Sequence, residues 1–419
     1  MKYAIIAYGS RGDVQPYVAL SLGLMDRGHE VTLLAPENFE DFVKSYGVTF
    51  FPLHGNLEEL IYSAEVRQML KSGNMISLLR HMRNAGRKLQ EQVNNDVIAG
   101  CIDTDVLIGT ALTAIWLESI AEKLNKKWGI TQLSFPSTPT MEFPFAGLSF
   151  FNFPAYNIFT HRLVRFLYWR LNKKDLNRLR KSNGLPIARQ SVFNRLSSEN
   201  ILDLWFISPH LVATPKDWNS NSSITGFLTL SPKIRDARHA EQLPDGLAEW
   251  LQNGEKPVYI GFGSIPVPDV ELFCKILKEI LTKTENRIIF CTGWSSFDGL
   301  PVHPNLFTLK AINHQWLFPH CKAAVIHGGA GTTAAVIKAK IPLIIVSVFA
   351  DQPWWGKIIQ DKGLGFHIPF RKLTAKKLLK AIENTQQPQI LKTVSETGEK
   401  INNEDGLKTA LDAIESYFS

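Results

Sequence analysis

The sequence predicts an α/β protein made of two consecutive doubly wound domains of Rossmann type. The first observation is length, because single hydrophobic cores stop growing at roughly 250–300 residues and this chain has 419. The second is the alternation of apolar strand-like and helical segments near the amino terminus. The third is a fresh start of that alternation at Val258. We therefore expect parallel sheets in two domains that face a ligand cleft at the carboxyl ends of the strands.

The first domain opens with a strand over residues 4–8 and a glycine-bearing turn over 9–16. A helix is predicted over 18–27, ending at Gly28, and another over 39–46. Further strands are predicted over 30–35, 48–52, 106–108, 128–133, 205–207 and 211–213. Apolar strands separated by helices are typical of a parallel sheet.

The second domain repeats this pattern from its opening strand and glycine turn, which together span 258–264. Helices are predicted over 270–282, 332–339 and 354–361. Strands are predicted over 287–291, 323–326 and 343–346. Polar and charged passages over 219–223 and 231–241 suit a linker between the two domains. The predicted boundaries are 1–230 and 231–400, with a C-terminal helix over 401–419 near the domain junction.

Composition and charge exclude several classes of protein. The net charge of +7 suits an anionic partner, but no nucleic-acid-binding module is present, so we expect no nucleic acid. The four cysteines stand far apart, which disfavours a disulfide framework or a zinc site. No signal sequence is found, and no apolar run reaches the about 18 residues of a membrane-spanning helix. We therefore expect a cytoplasmic protein.

The clearest functional signal is a glycine loop between strand 323–326 and the helix that follows it. Glycines let the backbone approach a ligand, and the start of a helix offers unpaired N–H groups and a positive dipole end. The side-chain donors and glycines of this loop are His327, Gly329, Gly331, Thr332 and Thr333. This set suits a diphosphate bound without a metal. By itself, a plain strand–helix turn explains the glycines equally well.

A carboxylate and an amide, Asp351 and Gln352, follow the next strand at the start of another helix. In a doubly wound domain both loops emerge at the same edge of the sheet. The two side chains are therefore placed to bind hydroxyl groups of a sugar that is attached to the diphosphate. Helix capping is a second role for Asp351, and it is compatible with ligand binding.

Four motifs occur in order along the chain: Gly9–Pro16, Trp316–Pro319, His327–Thr333 and Asp351–Trp355. On these motifs the sequence resembles the family-one inverting glycosyltransferases of GT-B fold. It is most similar to the branch with sterol glucosyltransferases and the bacterial enzymes that glycosylate glycopeptide and macrolide aglycones. The resemblance implies a UDP-sugar co-substrate held by the second domain, an acceptor held by the first domain, and no further cofactor.

The resemblance also implies roles for single residues in donor binding. His327 is expected to contact the diphosphate, Thr332 its oxygens, and Asp351 with Gln352 the hexose. Ser264 is expected to face the diphosphate or the uridine. The tryptophan that heads the donor box of the plant enzymes is absent. We hypothesise that Trp294 stacks on the uracil instead and that the base lies near Asn313 or His314.

Asp13, in the first glycine turn, is the candidate general base that takes the proton of the acceptor hydroxyl. Plant members of the family use a histidine in this loop, and the sequence has none between Met1 and Gly28. A turn cap or a pair with Arg11 is the alternative role for Asp13. Ser10 is expected to line the same pocket.

The pair Asp103 and Asp105 matches the D-x-D metal signature of the other large glycosyltransferase fold. Here it stands before a strand of the first domain, where a solvated turn is the simpler interpretation. We therefore predict no metal site.

The stretch from Phe135 to Tyr168 is crowded with aromatic residues, and Phe143, Phe145 and Phe150 are predicted to line the acceptor site. Ordinary core packing explains any single one of them equally well. The basic run from Arg162 to Arg180 suits peripheral contact with anionic lipid, and a solvated helix face explains it as well.

The function predicted from these observations is inverting transfer of a hexose, expected to be glucose, from a UDP-sugar to a lipophilic acceptor. A sterol, terpenoid, polyketide or phenol fits the acceptor. The alternatives are a UDP-sugar epimerase or hydrolase of the same fold and a non-catalytic nucleotide-sugar-binding protein. A nicotinamide dehydrogenase is disfavoured, because residues 9–12 lack the G-x-G-x-x-G spacing.

Overall fold

The computed structural model describes residues 1–230, 243–293, 295, 297 and 299–419. These residues form two compact units, and neither is a single continuous stretch of chain. The first comprises the described residues of Met1–Leu57, Met82–Ser231 and Asp405–Ser419. The second comprises those of Glu58–His81 and Pro232–Glu404.

The described strands are β1 (Lys2–Ile6), β2 (Glu30–Pro36), β3 (Thr49–Leu53), β4 (Val106–Thr110), β5 (Lys127–Gln132), β6 (Asp203–Trp205), β7 (Ser222–Ile224), β8 (Val258–Gly261), β9 (Ile288–Cys291), β10 (Leu306–Leu309), β11 (Ala323–Ile326), β12 (Leu343–Ser347) and β13 (Gly365–Pro369). They form two sheets, each within one unit, and all their pairings are parallel. The fold is therefore α/β with two Rossmann-like units, as predicted.

The described α-helices are α1 (Arg11–Asp26), α2 (Glu40–Ser45), α3 (Leu57–Ile61), α4 (Ala64–Ser72), α5 (Met75–Cys101), α6 (Ala114–Leu124), α7 (Pro154–Ser182), α8 (Val192–Ser198), α9 (Leu247–Gln252), α10 (Val270–Lys283), α11 (His314–Leu317), α12 (Ala330–Lys338), α13 (Gln352–Asp361), α14 (Ala375–Thr385), α15 (Pro388–Asn402) and α16 (Gly406–Phe418). Short 3₁₀ turns lie at Glu37–Phe39, Phe318–His320 and Phe370–Lys372. Among these described helices, none is both long enough and apolar enough to cross a membrane.

The two sheets share one topology. Their strand orders are β3-β2-β1-β4-β5-β6-β7 and β10-β9-β8-β11-β12-β13. In each sheet the chain moves outward from its first strand, returns, and continues on the other side of that strand. This reversal lies between β1 and β4 in one sheet and between β8 and β11 in the other. Ligands of doubly wound domains bind at the carboxyl ends of the strands at this reversal.

Burial of apolar strand residues drives the formation of both sheets. In the first unit Ile6, Leu107 and Ile130 of adjoining strands are fully buried and pack in one cluster with helix residues such as Leu117. In the second unit the cluster includes the fully buried Val325 of β11 and apolar residues of α10 and α14. Continuous apolar strands of this kind are expected where helices cover both faces of a parallel sheet.

The carboxyl-terminal helix α16 packs on α1. A Cβ on Gly23 would stand 2.8 Å from the Cδ1 atom of Leu411, so glycine permits the close approach of the two helices. Arg27, just after α1, makes ion pairs with Asp412 and Glu415 of α16. Residues at opposite ends of the sequence therefore complete one unit.

Helix α1 begins earlier than the sequence predicts. The glycine and proline residues over 9–16 suggested a turn, whereas the helix begins at Arg11 and contains Pro16. Ser10 precedes the helix, and its backbone N–H donates to the Asp13 carboxylate at 2.7 Å in a capping box. This cap satisfies donors at the start of the helix and so stabilises a first turn that composition alone disfavours.

Two further differences concern the first unit. Residues 211–213 were expected to be a strand but lie outside any strand, since the N–H groups of Leu211 and Val212 both bond to the carbonyl of Ser208 in a turn. The helices α5 and α7 are long, whereas the sequence pattern indicated only a partly helical region around α7. Buried polar residues of α7, among them Asp175, are paired with residues of α5, and these contacts stabilise a helix that its own sequence pattern does not reveal.

Candidate active site

The glycine loop after β11 encloses His327. Because β8 and β11 are neighbours, the loops that follow them lie side by side. Gly263, in the loop after β8, has a φ of 59°, and a Cβ there would stand 3.2 Å from the His327 Cε1 atom. A Cβ on Gly329 would stand 2.6 Å from Nε2 on the same ring. A side chain at Gly329 would therefore clash with the imidazole, and one at Gly263 would crowd it.

Burial sets the charge of this imidazole. His327 is 8% exposed, and its burial lowers the pKa to about 4. The ring is therefore neutral at physiological pH, with one nitrogen as donor and the other as acceptor. Its Nδ1 atom is buried and has no hydrogen-bond partner among the residues that the structure describes.

Helix α12 starts directly behind His327 and presents its amino end to the loop. Gly329 is the residue before the helix, and the Thr333 N–H bonds to its carbonyl. The Thr333 hydroxyl is buried and lacks a partner within the described part of the chain, and Thr332 is half-buried. Gly331 is exposed. Free N–H groups, the helix dipole and hydroxyls at one place are suited to an anion such as a diphosphate.

The loop after β12 lies against this glycine loop. Gly328 has a φ of 97°, and a Cβ there would stand 2.8 Å from Ile345 Cγ2 and 3.4 Å from the carbonyl oxygen of Gln352. The structure thus brings His327–Thr333 together with Asp351 and Gln352. The sequence predicts only that the two loops lie at the same edge of the sheet. In the structure they are in contact at Gly328, where the absence of a side chain permits the close approach.

Gln352 is buried and holds its own loop in place. Its Oε1 atom accepts hydrogen bonds from the N–H groups of Val348 at 2.7 Å and Phe349 at 3.1 Å. Asp351 precedes α13, but its carboxylate accepts from the Trp355 indole at 3.2 Å and makes no side-chain capping bond within the described structure. Ala350 between these segments has a φ of 57°, a conformation that costs free energy for a residue with a side chain. The loop is therefore held by specific bonds near the predicted sugar-binding residues.

Ser264 follows Gly263 in the loop after β8 and is half-buried. This places it beside the His327 loop, at the reversal of the sheet. A Cβ on Gly293, in the loop after β9, would overlap the carbonyl of Gly263. Trp294, the predicted partner of the uracil ring, lies outside the described residues, so that hypothesis stays a prediction.

Asn313 and His314 lie at the start of α11. The Asn313 side chain accepts from the N–H of Gln315 at 3.0 Å and caps the helix. His314 stacks on Phe318 with ring centroids 4.7 Å apart, and its Nε2 atom is 3.0 Å from the Tyr259 hydroxyl. Both side chains therefore have structural contacts, and their place near the base stays a prediction.

Asp13 lies in the first turn of α1, at the carboxyl end of β1. Its Oδ2 atom accepts from the Ser10 N–H at 2.7 Å and from the Ser10 hydroxyl at 2.9 Å. A Cβ on Gly9 would overlap this carboxylate. Arg11 places its guanidinium 4.6 Å from the centre of the Phe42 ring. Asp13 thus caps its helix through one oxygen, and no bond to Oδ1 occurs within the described chain.

Burial raises the pKa of Asp13, and the two bonds from Ser10 lower it in part. A carboxylate whose pKa is raised towards neutrality is a stronger base than an ordinary one. The arrangement is therefore compatible with proton abstraction as well as with capping.

Tyr17 extends this site in a way that the sequence analysis missed. It follows Asp13 by one turn of α1, so both side chains lie on one face of the helix. Its hydroxyl is 2.9 Å from the Thr131 hydroxyl on β5, and burial followed by the charge of Asp13 raises the Tyr17 pKa. In the sequence, Asp13 and Tyr17 are four residues apart. This spacing indicates a shared helix face only once the helix is known to begin at Arg11.

The three candidate acceptor residues occupy two environments. Phe143 and Phe145 pack against His161 of α7, with ring centroids 6.2 Å and 5.7 Å away. Phe150, in contrast, is 76% exposed. The structure brings the first two together and leaves the third at the surface.

The D-x-D pair lies at the opposite edge of the first sheet. Asp105 precedes β4 and accepts a hydrogen bond from the N–H of Lys2 at 2.8 Å. Among the described residues, no group of three histidine, cysteine or acidic side chains is placed to hold a metal ion. Asp105 therefore has a structural contact, and the pair precedes β4, away from the carboxyl end of β1 where Asp13 lies.

Comparison with known protein families matches both halves of the chain. Residues 3–144 match the glycosyltransferase family 28 N-terminal domain. Residues 282–405 match the erythromycin biosynthesis protein CIII-like C-terminal domain. The four motifs fall within these ranges, whereas the candidate residues Ser264, Phe145 and Phe150 lie outside them.

Among characterised proteins, the chain is 35% identical to the sterol 3-beta-glucosyltransferase UGT80B1 of Arabidopsis thaliana, over 100% of this chain and 68% of that protein. It is 31% identical to a sterol 3-beta-glucosyltransferase of Neosartorya fischeri, over 99% of this chain but only 29% of that protein. The chain thus spans about two thirds of its plant relative and less than a third of its fungal one.

Among solved structures, the glycosyltransferase of kitacinnamycin has a TM-score of 0.72 at 16% identity. The similarity covers 99% of this chain and 98% of the other. At this identity the likeness concerns the fold alone, and it extends over the whole chain.

Proposed function

Because the chain belongs to the family-one-like glycosyltransferases of GT-B fold, we propose that it transfers glucose from UDP-glucose to a sterol hydroxyl, with inversion at the anomeric carbon. The named activity of the plant and fungal relatives supports both the sugar and the acceptor. Terpenoid alcohols, polyketides and phenols are the further acceptor classes of this proposal.

The observation that carries the proposal is the meeting of the two loops after β11 and β12. One loop offers a neutral buried imidazole and the start of α12, which suit a diphosphate. The other offers Asp351 and Gln352 beside it, which suit sugar hydroxyls. A nucleotide sugar carries both chemical groups in one molecule, whereas a simple phosphate ester of a protein or nucleic acid does not.

Asp13 acts as the general base in this proposal. The acceptor oxygen forms a bond to C1 of glucose while the bond from C1 to the diphosphate oxygen breaks, and UDP leaves. The hydroxyl proton passes to the Asp13 carboxylate. Attack from the side opposite to UDP converts an α-linked donor into a β-glucoside. The reaction needs no further cofactor and no metal ion.

Incubation of the protein with UDP-glucose or dTDP-glucose and a panel of sterols, terpenoid alcohols and phenols tests this function. We expect a β-glucoside of a sterol, formed with UDP-glucose and undiminished by EDTA, with the anomeric configuration read by NMR. An α-glucoside would contradict inversion, and loss of turnover with EDTA would contradict metal independence. Conversion of the UDP-sugar without any acceptor would instead support an epimerase or hydrolase.

A further inference from the structure

Helix α7 buries several polar residues, together with Leu176 and Leu179, and exposes four large apolar ones. Its buried positions include the polar residues Asn157, Thr160, His161, Arg165, Asp175 and Arg180. Its exposed positions include Phe159, Phe166, Leu167 and Leu171, and both Phe166 and Leu171 are 58% exposed. An ordinary surface helix shows the reverse arrangement.

The buried polar side is fixed by specific contacts. Asn157 donates to the carbonyl of Met141 at 2.8 Å, and Thr160 accepts from the N–H of Phe145 at the same distance. Asp175 pairs with Arg83 and Arg87 of α5 at 2.9 Å. Because buried polar groups need partners, these bonds set the rotation of α7 and hold its apolar side outward.

All the charge on the outward side is positive. Asp175 is the only acidic residue of α7, and it is buried and paired. The exposed basic residues of the helix are Arg162, Arg170, Lys173, Lys174, Arg178 and Lys181. We call these residues, together with Phe159, Phe166, Leu167 and Leu171, the α7 outer face.

The apolar surface continues into the segment just before α7. Phe150 and Phe151 are exposed there, and Phe153 precedes the first residue of the helix. Three exposed phenylalanines beside an exposed aromatic and aliphatic helix face far exceed the scattered single apolar residues that soluble surfaces normally carry. A partner of this surface must therefore accept aromatic side chains and positive charge together.

We propose that the α7 outer face docks on an anionic lipid bilayer. Aromatic and leucine side chains enter the interface between headgroups and acyl chains, while the lysine and arginine side chains reach the phosphates. A second copy of this chain fits the face poorly, since a symmetric contact would place like charges opposite each other. The proposal gives the enzyme access to acceptors dissolved in a membrane, and in that respect it rests on the proposed function.

Sedimentation with phosphatidylcholine vesicles, with and without phosphatidylserine, tests the proposal in the absence of any sugar donor. We expect stronger binding to the vesicles with phosphatidylserine and weaker binding at high salt. The variant Arg170→Gln, Lys173→Gln, Lys174→Gln is expected to lose on the order of 100-fold in partition coefficient, since each basic residue near an anionic surface contributes about fivefold. The variant Phe159→Ser, Phe166→Ser is expected to lose binding to both kinds of vesicle.

Matched controls come from the second unit. Lys376→Gln, Lys380→Gln, Lys400→Gln removes the same charge, and Val302→Ser, Leu391→Ser removes exposed apolar side chains. Both are expected to bind like the wild type, and thermal unfolding checks that every variant is folded.

Equal binding of the wild-type protein to vesicles with and without phosphatidylserine would overturn the proposal. Binding of the α7 variants at the level of the controls would overturn it as well. So would self-association in solution that Phe159→Ser, Phe166→Ser abolishes, because it would assign the face to a second copy. Vesicle binding without glucosyl transfer would leave this proposal standing and contradict only the proposed function.

Discussion

Asp13 and His327 occupy comparable places in the two units. Each follows a central strand at the reversal of its sheet, and each needs neighbouring glycine to fit its side chain. Burial acts on both, yet it raises the pKa of Asp13 and lowers the pKa of His327. One physical cause therefore favours the uncharged form of both groups.

The difference lies in the hydrogen bonds. Ser10 donates twice to Asp13 and so stabilises its charged form, whereas the buried Nδ1 of His327 has no partner within the described structure. In the proposed reaction Asp13 must lose its proton, and the bonds from Ser10 partly offset the effect of burial on its charged form. We propose that His327 acts as a neutral hydrogen-bonding group, which burial already favours. Four predictions test this contrast.

The largest effect is expected for Asp13→Asn. The amide keeps an oxygen that accepts from Ser10 but cannot take a proton, so kcat should fall by about 10²–10⁴-fold. Because burial raises the native pKa of Asp13, its contribution to stability declines as pH rises through that pKa. The variant should therefore unfold at neutral pH at a temperature no lower than the wild type.

Asp103→Asn, which changes an exposed aspartate of the same unit, is the matched control and should keep full activity. Transfer by Asp13→Asn at the wild-type rate would remove Asp13 from the role of base.

The second effect concerns His327→Ala. In the proposed reaction His327 lies beside the departing diphosphate, so loss of this polar group is expected to reduce kcat/KM by about 10²-fold. Since His327 is neutral above a pKa of about 4, the acidic limb of the pH–rate profile should keep its position in the variant. If the acidic limb of the pH–rate profile is absent in His327→Ala, then His327, and not Asp13, is the group that titrates during turnover.

The third effect concerns the backbone conformation of the loop after β11, in a variant that leaves the polar side chains of the loop in place. Gly328→Ala forces a side chain into a φ of 97° and close to Ile345, at a cost of about 1–2 kcal/mol for the conformation alone. We expect a lower free energy of unfolding and a raised KM for UDP-glucose. Gly331→Ala in the same motif is the control, because a Cβ there meets nothing within 4 Å. Equal behaviour of the two variants in urea unfolding would contradict this account.

The smallest effect is expected for Ser10→Ala. The Ser10 hydroxyl lowers the pKa of Asp13, so its removal should raise that pKa further. The acidic limb of the kcat profile should then move to higher pH by up to about one unit, with kcat at alkaline pH little changed. An unmoved limb would indicate that the remaining bond from the Ser10 N–H is sufficient.

Much of the fold follows from local pattern. The apolar strands of both sheets are recognisable because both faces are buried, and β1, β2, β11 and β12 lie where the sequence predicts them, within one or two residues. The pairing of the loops after β11 and β12 also follows, since neighbouring strands of a doubly wound sheet end at one edge. The start of α1 does not follow, because a capping bond from Ser10 outweighs the glycine and proline signals.

Helix α7 shows a second limit of pattern analysis. Periodicity assumes that the apolar face of a helix is the buried one, and α7 buries polar residues whose partners lie far away in sequence. Asp175, for instance, is paired with residues of α5 more than 80 positions earlier. Such pairs become visible only when the chain is folded.

The packing of α16 on α1 sets the order in which the protein can be completed during synthesis. Arg27 leaves the ribosome 385 residues before its partner Asp412. Gly23 and the neighbouring surface of α1 remain uncovered until α16 has been made, so the first unit is begun before the second unit and completed after it. Residues of the second unit are translated in the interval, and they have the opportunity to fold before the unit that precedes them is closed.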